Sequence, residues 1–242
     1  MKQIFLTSLL LIALIACRQQ STTFEEKFSI HTVTKYLVNN DDKIIRRVYY
    51  RELDKNQNTI LEIFYNDDGS KIIHTKNFIG DREAIEIIQY YNSQNILDSQ
   101  NTNVIYFNLS RKIDRTLLLD SHGDTSRIVQ FFYDSQGNLT LQQEFIKRLN
   151  YSLKTEINYE YLPNGNLSKI VLINNIEPKK KIIEVFTYQI ENQCISKLVL
   201  DETNSTKEIV NYKYNSLGLI VEEVHNFPSG NLEKYKYFYT FY

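Results

Sequence analysis

The side chains best suited to proton transfer or metal binding are scattered along this chain. Its four histidines, His31, His74, His122 and His225, stand far apart, and no metalloprotease, zinc-ribbon, nucleophile-elbow or phosphate-loop motif accompanies them. Metal sites and covalent mechanisms need several such groups at defined spacing. The sequence therefore predicts no catalytic residue, no metal ligand, no cofactor and no enzyme activity.

One segment imitates a calcium-binding loop. Asp54, Asn56 and Asn58 have the spacing of the first three ligands in such a loop. The sixth position should be glycine and is Thr59, and the twelfth should be glutamate and is Tyr65. The segment is therefore predicted to be a turn.

Three further polar segments are also typical of turns: DDG (67–69), DSHGD (120–124) and KKK (179–181). Asp and Gly favour tight turns, which explains the first two better than an ion site does. Lysines at a hairpin tip discourage pairing between sheet edges. The alternative for the lysines is a contact with anionic lipid headgroups.

The first twenty residues predict export. Lys2 precedes an apolar run, 4–15, which would span only about 18 Å as a helix, too short for a hydrocarbon core of roughly 30 Å. Such a run is typical of a cleavable signal. The order Leu14-Ile15-Ala16-Cys17 resembles the lipobox of bacterial lipoproteins. This resemblance implies that residues 1–16 are removed and that Cys17 is acylated; the alternative is an ordinary secretory signal with an incidental cysteine.

The residues after the cysteine predict the cellular address. Arg18 stands where some lipoproteins retained in the inner membrane have aspartate, so the resemblance implies an outer-membrane protein that faces the periplasm. Residues 17–27 are polar and are predicted to form the lipidated cysteine with its tether. Residues 28–242 are predicted to form a single β-repeat domain. Several acyl chains would hold such a protein on the membrane.

Composition favours strands, and the net charge implies no polyanion-binding surface. Tyr (18) and Phe (13) are abundant, Gly (7) and Pro (3) are scarce, and the formal net charge is −1. No nucleic-acid partner is therefore expected. If Cys17 is lipidated, Cys194 is left without a disulfide partner. Cys194 is predicted to be a lone small residue, with a reactive or intermolecular role as the alternative.

A short sequence motif with a predicted turn recurs along the chain, as YNDDGSK, YNSQNIL, YDSQGNL, YLPNGNL and YNSLGL. The predicted repeat aromatics are Tyr65, Tyr91, Tyr133, Tyr161 and Tyr214. The predicted turn residues are Gly69, Asn95, Gly123, Gly137, Gly165, Gly218 and Gly230. Asn95 replaces glycine because asparagine tolerates positive φ.

Apolar residues before each turn alternate with polar ones, which is typical of antiparallel strands with one buried face. The segment DREAIEIIQYY (81–91) comes nearest to a helical period and is still predicted to be a strand, because it continues into Tyr91. We therefore expect an all-β antiparallel β-meander of repeated hairpins. The meander is predicted to form a long twisted or curled sheet of about fourteen strands.

The phrases YDSQGNL, YLPNGNL and YNSLGL resemble the YD repeats of RHS-like proteins, written around Tyr-Asp-x-x-Gly-x-Leu. In that family, successive hairpins extend a sheet that curls and can enclose a cavity. The resemblance covers residues 45–242, and only YDSQGNL matches closely. A weaker resemblance, carried by FPSGNLEKYKYFY (227–239), is to the MORN-like repeats of some antitoxin-like proteins.

The aromatic end of the chain, KYKYFYTFY (234–242), places Tyr235, Tyr237, Tyr239 and Phe241 on one face of a strand. It loosely resembles the last strand of an outer-membrane barrel. Charged residues within the predicted strands oppose a lipid-facing wall: Glu62, Lys154, Glu156 and Glu208. A final strand that closes the sheet is therefore the prediction.

The functional hypothesis is a lipid-anchored, non-enzymatic binding or scaffold module of the cell envelope. Its expected partners are the membrane, through the lipid anchor, and a protein or a glycan on an exposed sheet face. An exposed row of tyrosines would support this hypothesis. The alternatives are an immunity or antitoxin-like protein that neutralises a secreted toxin, or a structural component of the envelope.

Overall fold

The computed structural model describes residues 29–120, 122–189 and 193–242. Segments 1–16 and 17–27, with Cys17, lie outside the described residues. The strands are β1 (Ile30–Val38), β2 (Ile44–Leu53), β3 (Thr59–Tyr65), β4 (Lys71–Ile79), β5 (Glu83–Tyr91), β6 (Leu97–Phe107), β7 (Ile113–Leu119), β8 (Thr125–Tyr133), β9 (Leu139–Ile146), β10 (Ser152–Tyr161), β11 (Leu167–Asn174), β12 (Lys180–Tyr188), β13 (Cys194–Leu200), β14 (Thr206–Tyr214), β15 (Ile220–Asn226) and β16 (Leu232–Phe241). A 3-10 turn at Lys147–Leu149 joins β9 to β10. None of the described residues belongs to a helix long and apolar enough to cross a membrane.

The sixteen strands form one closed barrel. Each strand is antiparallel to the next, and β16 returns to β1, with Tyr239 opposite Val33 and Tyr237 opposite Lys35. The predicted antiparallel meander of hairpins is confirmed. The prediction of a long twisted or curled sheet of about fourteen strands is wrong in form and number: sixteen strands close into a barrel, which pairs the two strands that would otherwise be unprotected edges.

Most connections between strands are five residues long and share one geometry; 80–82 is shorter, and 147–151 and 175–179 lack the first hydrogen bond of that geometry. In 134–138, the Asp134 N–H donates to the Asn138 carbonyl at 2.9 Å and the Gly137 N–H donates to the Asp134 carbonyl at 3.0 Å. The Asp134 carboxylate also accepts the N–H groups of Gln136 and Asn138. The seven turn residues named from the sequence all lie at the fourth position, with φ from 64° to 85°: Gly69, Asn95, Gly123, Gly137, Gly165, Gly218 and Gly230.

Several connections have no glycine at this position, and two of them carry no other turn signal in the sequence. In 108–112 the left-handed fourth position is Arg111, with φ 57°, and in 147–151 it is Asn150, with φ 50°. A hairpin imposes this backbone conformation through its hydrogen bonds, whatever the residue. The predicted strand count fell short because these two turns contain no glycine, proline or aspartate and were not recognised from the sequence.

Alanine at Gly165 is expected to destabilise the barrel by about 1–2 kcal/mol, because Gly165 has φ +85° and a Cβ disfavours that conformation. No atom lies within 4 Å of the added Cβ, so the cost comes from the backbone alone. Urea unfolding measures the change. Gly165→Asn is the matched control and should lose less stability, because Asn95 adopts φ 64° at the same turn position; equal losses for both variants would contradict the argument.

Neighbouring strands place paired residues on the same face, so the register separates an inner from an outer face. The largest apolar cluster lies on the inner face: Leu139, Ile157, Tyr159, Leu167, Ile170, Leu172, Phe186 and Cys194. The aromatic residues of β16 that alternate with lysines share one face, as the alternation predicts, and that face points inward. Glu62 and Glu208 also face inward, so their charges do not make the outer wall polar. Lys154 forms an ion pair, 3.2 Å long, with Glu144, which faces inward. Of the four charged residues that were taken as evidence against a lipid-facing wall, only Glu156 lies on the outer face.

Candidate interaction surface

The structure divides the repeat tyrosines into two groups. Those that end β8, β10 and β14 point inward, and each hydroxyl donates to the carbonyl of the first residue of the preceding strand. The bonds, all 2.8 Å long, are Tyr133 to Ile113, Tyr161 to Leu139 and Tyr214 to Cys194. Burial raises the pKa of Tyr133 and of Tyr161 to about 12. Each of these hydrogen bonds links the end of one strand to the start of the preceding strand, so the hydroxyl groups are not free to bind a ligand.

Two tyrosines outside the recognised phrases make the same bond. Tyr188 donates to the Leu167 carbonyl at 2.8 Å, and Tyr239 donates to the Ile220 carbonyl at 2.7 Å. Sequence reasoning counted neither residue among the repeat aromatics, because the turn after Tyr188 has no glycine and Tyr239 lies in the last strand, two residues before its end. Their spacing from Tyr161 and Tyr214 was the available signal.

Tyr65 and Tyr91 end β3 and β5, at the opposite rim, and lie on the outer face. The Lys71 ammonium lies 5.1 Å from the centre of the Tyr91 ring. Tyr65 belongs to a larger group of outward aromatic side chains. The repeat tyrosines therefore do not form one exposed row.

That group, the outer aromatic patch, consists of Tyr36, Tyr50, Tyr65 and Phe238 around Arg47. The Arg47 guanidinium lies 5.8 Å, 5.9 Å and 5.7 Å from the ring centres of Tyr36, Tyr50 and Tyr65. Tyr36 meets Phe238 edge to face, with 5.5 Å between ring centres. The side chains come from β1, β2, β3 and β16, so the patch exists only because the barrel closes.

The composition of the patch is typical of binding surfaces. Arg47 is exposed and Phe238 is 49% exposed. Tyrosine and arginine dominate the energetically important positions of protein interfaces, and a guanidinium beside aromatic rings contributes about 0.5–1 kcal/mol at exposed sites. Ile44 and Ile45, at the start of β2, are also exposed and extend apolar surface toward the rim.

The inner face carries charged groups that are buried and paired. One cluster joins β1 to β15, where the Lys35 ammonium lies 3.0 Å from the Glu223 carboxylate. A second joins β4 to β6 through Glu86 of β5, which accepts from Asn103 at 2.7 Å and lies 3.3 Å from His74. Burial raises the pKa of Glu86, but His74, Lys76 and Asn103 lower it more, to about 2.

His225 is held between two carboxylates. Its Nδ1 hydrogen-bonds Glu208 and its Nε2 hydrogen-bonds Glu223, so both ring nitrogens act as donors in the charged form. Burial alone lowers the pKa of His225, but the two carboxylates raise it above its ordinary value. The Glu223 pKa is raised by burial and lowered more strongly by Lys35, His225 and Tyr237, which leaves it below its ordinary value. The arrangement stabilises a buried imidazolium, and neither ring nitrogen is available as a base.

Stability is expected to fall as the pH rises above about 6.5, the unfolded histidine pKa. Because the folded pKa of His225 is raised, its stabilising contribution is complete below the unfolded value and is lost as the pH passes the folded value. The slope is at most about 1.4 kcal/mol per pH unit. Urea unfolding at a series of pH values measures it, and His225→Gln should flatten this part of the curve. An unchanged slope in that variant would contradict the charged state.

The other groups that could react are buried or already paired. Cys194 is buried, and burial raises its pKa to about 11, which disfavours the reactive thiolate. No group of three His, Cys, Asp or Glu residues positioned to hold a metal occurs among the described residues. A cavity of about 530 Å³ lies beside Arg127 and Lys154. Both cations already pair with Glu144, at 2.9 Å and 3.2 Å.

No protein-family model and no curated protein matches the chain, so the resemblance to YD and MORN-like repeats stays a prediction. Among solved structures, a porin-like protein from Bacteroides uniformis has a TM-score of 0.58 and 10% identity, with 88% of this chain and 98% of that chain covered. A porin-like protein from Bacteroides vulgatus gives a TM-score of 0.43 and 9% identity over 88% of this chain and 99% of that one. A TcdB2-TccC3-TEV structure gives a TM-score of 0.32 and 11% identity over 85% of this chain and 14% of that one. The first likeness shows a shared fold.

Proposed function

We propose that this protein is a lipid-anchored barrel of the bacterial envelope that binds a partner protein through the outer aromatic patch. Its function is binding or scaffolding, and it catalyses no reaction. Three features support the proposal: the Leu14-Ile15-Ala16-Cys17 order, an outer wall suited to water, and buried ion pairs in place of a catalytic pocket. The polarity of the outer wall is the observation on which the proposal mainly depends.

The outer wall is too polar for the hydrocarbon of a bilayer. Glu156 and Asn158 lie on the outer face in the middle of β10, and Asn211 and Lys213 are exposed on the outer face of β14. Lys236 lies at the middle of β16. A lysine at the midplane of a membrane barrel costs about 2–4 kcal/mol. A water-facing barrel needs another means of staying at the membrane, and an acylated Cys17 supplies it.

The inner face does not suit a wide aqueous channel. Lys35 and Glu223 are each less than a tenth exposed, and Tyr237 packs beside them. Charged groups that line a hydrated pore remain in contact with water, whereas these are paired with each other and shielded. The porin-like relationship therefore describes the fold, and we assign a different role to this chain.

The outer aromatic patch fits a protein partner better than a sugar. Sugar binding uses the open face of a ring, and here the Arg47 guanidinium lies among three of the rings. Arginine, tyrosine and phenylalanine together are enriched at protein interfaces. A glycan partner is the alternative outcome of the experiment on the patch.

The anchor is tested by metabolic labelling with a palmitate analogue, followed by membrane fractionation. Wild-type protein should carry the label and sediment with membranes, and Cys17→Ala should lose the label and become soluble. Unlabelled wild-type protein in the soluble fraction would overturn the anchored function.

The patch is tested with a photo-crosslinking phenylalanine analogue at position 238 in cells. Position 132 is the matched control, because Phe132 is also exposed and aromatic and lies on β8, far around the wall from β16. We expect a discrete, protease-sensitive adduct at position 238 only, which Arg47→Ala abolishes. An adduct sensitive to glycan hydrolases would identify a glycan partner, and equal adducts at both positions would exclude the patch as a specific site.

A further inference from the structure

A cavity of about 530 Å³ opens on the inner face of the barrel, beside the connections 120–124 and 147–151. Pockets that hold small organic ligands have volumes of about 300–1,000 Å³. Leu118 of β7 and Ile146 of β9 line the cavity, and Arg127 of β8 stands opposite both of them in the register. The cavity therefore has two apolar walls with a guanidinium between them.

Cations outnumber carboxylates around this cavity. Its lining contains one carboxylate, Asp120, and four cations, Arg127, Lys147, Arg148 and Lys154. The strand ends that border the two connections carry no charge: Leu119, Thr125, Ile146 and Ser152. Of the next connections along the rim, 92–96 carries no charge, and 175–179 adds one glutamate and one lysine, whose charges cancel.

Ion pairs with two further carboxylates reduce the excess of positive charge without removing it. Glu144 Oε1 lies 2.9 Å from Arg127 Nη1 and 3.2 Å from Lys154 Nζ, so one carboxylate serves two cations. The Lys147 ammonium lies 3.1 Å from the Asp124 carboxylate. When these two carboxylates and that of Asp120 are counted, the four cations retain one positive charge in excess.

Arg148 is the cation of this group that has no partner. Its side chain is exposed and forms no ion pair or hydrogen bond with the described residues. The connection that carries it is held against β8, because the Tyr151 hydroxyl donates to the Thr125 carbonyl at 2.8 Å. The guanidinium is thus attached to a fixed backbone beside the cavity and is available to an anion.

The charge and the walls of the cavity together favour a carboxylate ligand. An arginine binds a carboxylate or a phosphate through two parallel hydrogen bonds. A carboxylate neutralises the single excess charge, whereas a phosphate monoester, with a charge of about −1.5 to −2 at neutral pH, would exceed it beside Glu144 and Asp120. The apolar walls at Leu118 and Ile146 suit a ligand with a hydrocarbon part.

We propose that this cavity binds a small organic carboxylate with an apolar body. Arg148 and Arg127 hold the carboxylate group, and Leu118 and Ile146 contact the hydrocarbon part. The site lies inside the barrel, apart from the outer aromatic patch. It goes beyond the proposed function and requires neither the lipid anchor nor a partner protein.

Isothermal titration calorimetry of the full-length protein in non-ionic detergent tests the site, with hexanoate as the probe at neutral pH, where the acid is ionised. Hexanol lacks the charge and acetate lacks the hydrocarbon chain, so each should bind at least about tenfold more weakly than hexanoate. Hexyl phosphate should bind no more tightly than hexanoate. Arg148→Gln should weaken hexanoate binding by about tenfold or more, because a charge-assisted hydrogen bond is lost.

Arg82→Gln is the matched control and should bind hexanoate as the wild type does. Arg82 is also an exposed arginine of a connection, its side chain has no partner among the described residues, and it lies at the opposite rim. Circular dichroism checks that both variants retain the β-sheet spectrum.

Four other results would each overturn the proposal. Absence of hexanoate binding removes the site, and equal losses in the two arginine variants mean attraction by surface charge alone. Equal binding of hexanol or of acetate means that the cavity does not recognise both parts of the ligand. Tighter binding of hexyl phosphate means that the ligand is a phosphate and not a carboxylate.

Discussion

Replacing Glu223 with leucine is expected to destabilise the barrel by about 3–5 kcal/mol, the cost of breaking a buried ion pair from one side. The Glu223 carboxylate is 7% exposed and lies 3.0 Å from the Lys35 ammonium. It also accepts hydrogen bonds from Tyr237 and His225. Removing it leaves a buried ammonium without its counter-ion. Equilibrium urea unfolding followed by far-UV circular dichroism measures the loss.

The double variant Lys35→Met with Glu223→Leu separates the ion pair from the packing around it. Removing both charges leaves no unpaired ion, so the double variant should lose less stability than the two single variants added together. A loss below about 1 kcal/mol for Glu223→Leu would place the carboxylate in a hydrated channel. Strict additivity would mean that Lys35 and Glu223 do not interact.

The hairpins were predictable from the sequence because local hydrogen bonds determine them. In YDSQGNL, Asp134 accepts from the turn N–H groups and Gly137 supplies the positive φ, so five residues specify the reversal. At 108–112 the Asn108 side chain accepts from the Ser110 and Lys112 N–H groups in the same way, but the positive φ falls on Arg111, which is not a turn signal in a sequence.

The two faces of the barrel were not predictable, because alternation shows which residues share a face and not which face is enclosed. Glu62 and Glu208 lie inside, paired with partners that other strands supply. Apolar Ile183 lies on the outer face and is nevertheless buried, because side chains of neighbouring strands shield it. Both faces therefore mix apolar and charged residues.

From the sequence, the candidate site was predicted only as an exposed sheet face that binds a partner, without the residues that form it. Whether the repeat tyrosines are exposed could not be predicted; Tyr65 contributes to the patch, but Arg47 drew no attention in the sequence. Phe238 meets Tyr36 because β16 pairs with β1, a contact between distant parts of the chain. A strand that closes the sheet was expected at this end of the chain, but its register against β1 was not.

Replacing Ile157 with alanine is expected to cost about 2–5 kcal/mol in the free energy of unfolding, the usual cost of removing a large aliphatic side chain from a packed core. Ile157 is 1% exposed and belongs to the inner apolar cluster with Tyr159, Leu172 and Phe186. Urea unfolding measures the loss.

Ile173→Ala is the matched control for this substitution. Ile173 lies on the neighbouring strand β11, on the outer face opposite Glu156, and is only partly buried. Because water and outer side chains can fill the space that its removal leaves, the control should lose about 1 kcal/mol or less. Equal losses would mean that both faces of the wall are covered to the same degree, as in a barrel embedded in lipid. A small loss at Ile157 would indicate a water-filled interior, so the pair of substitutions decides between a packed barrel and a pore.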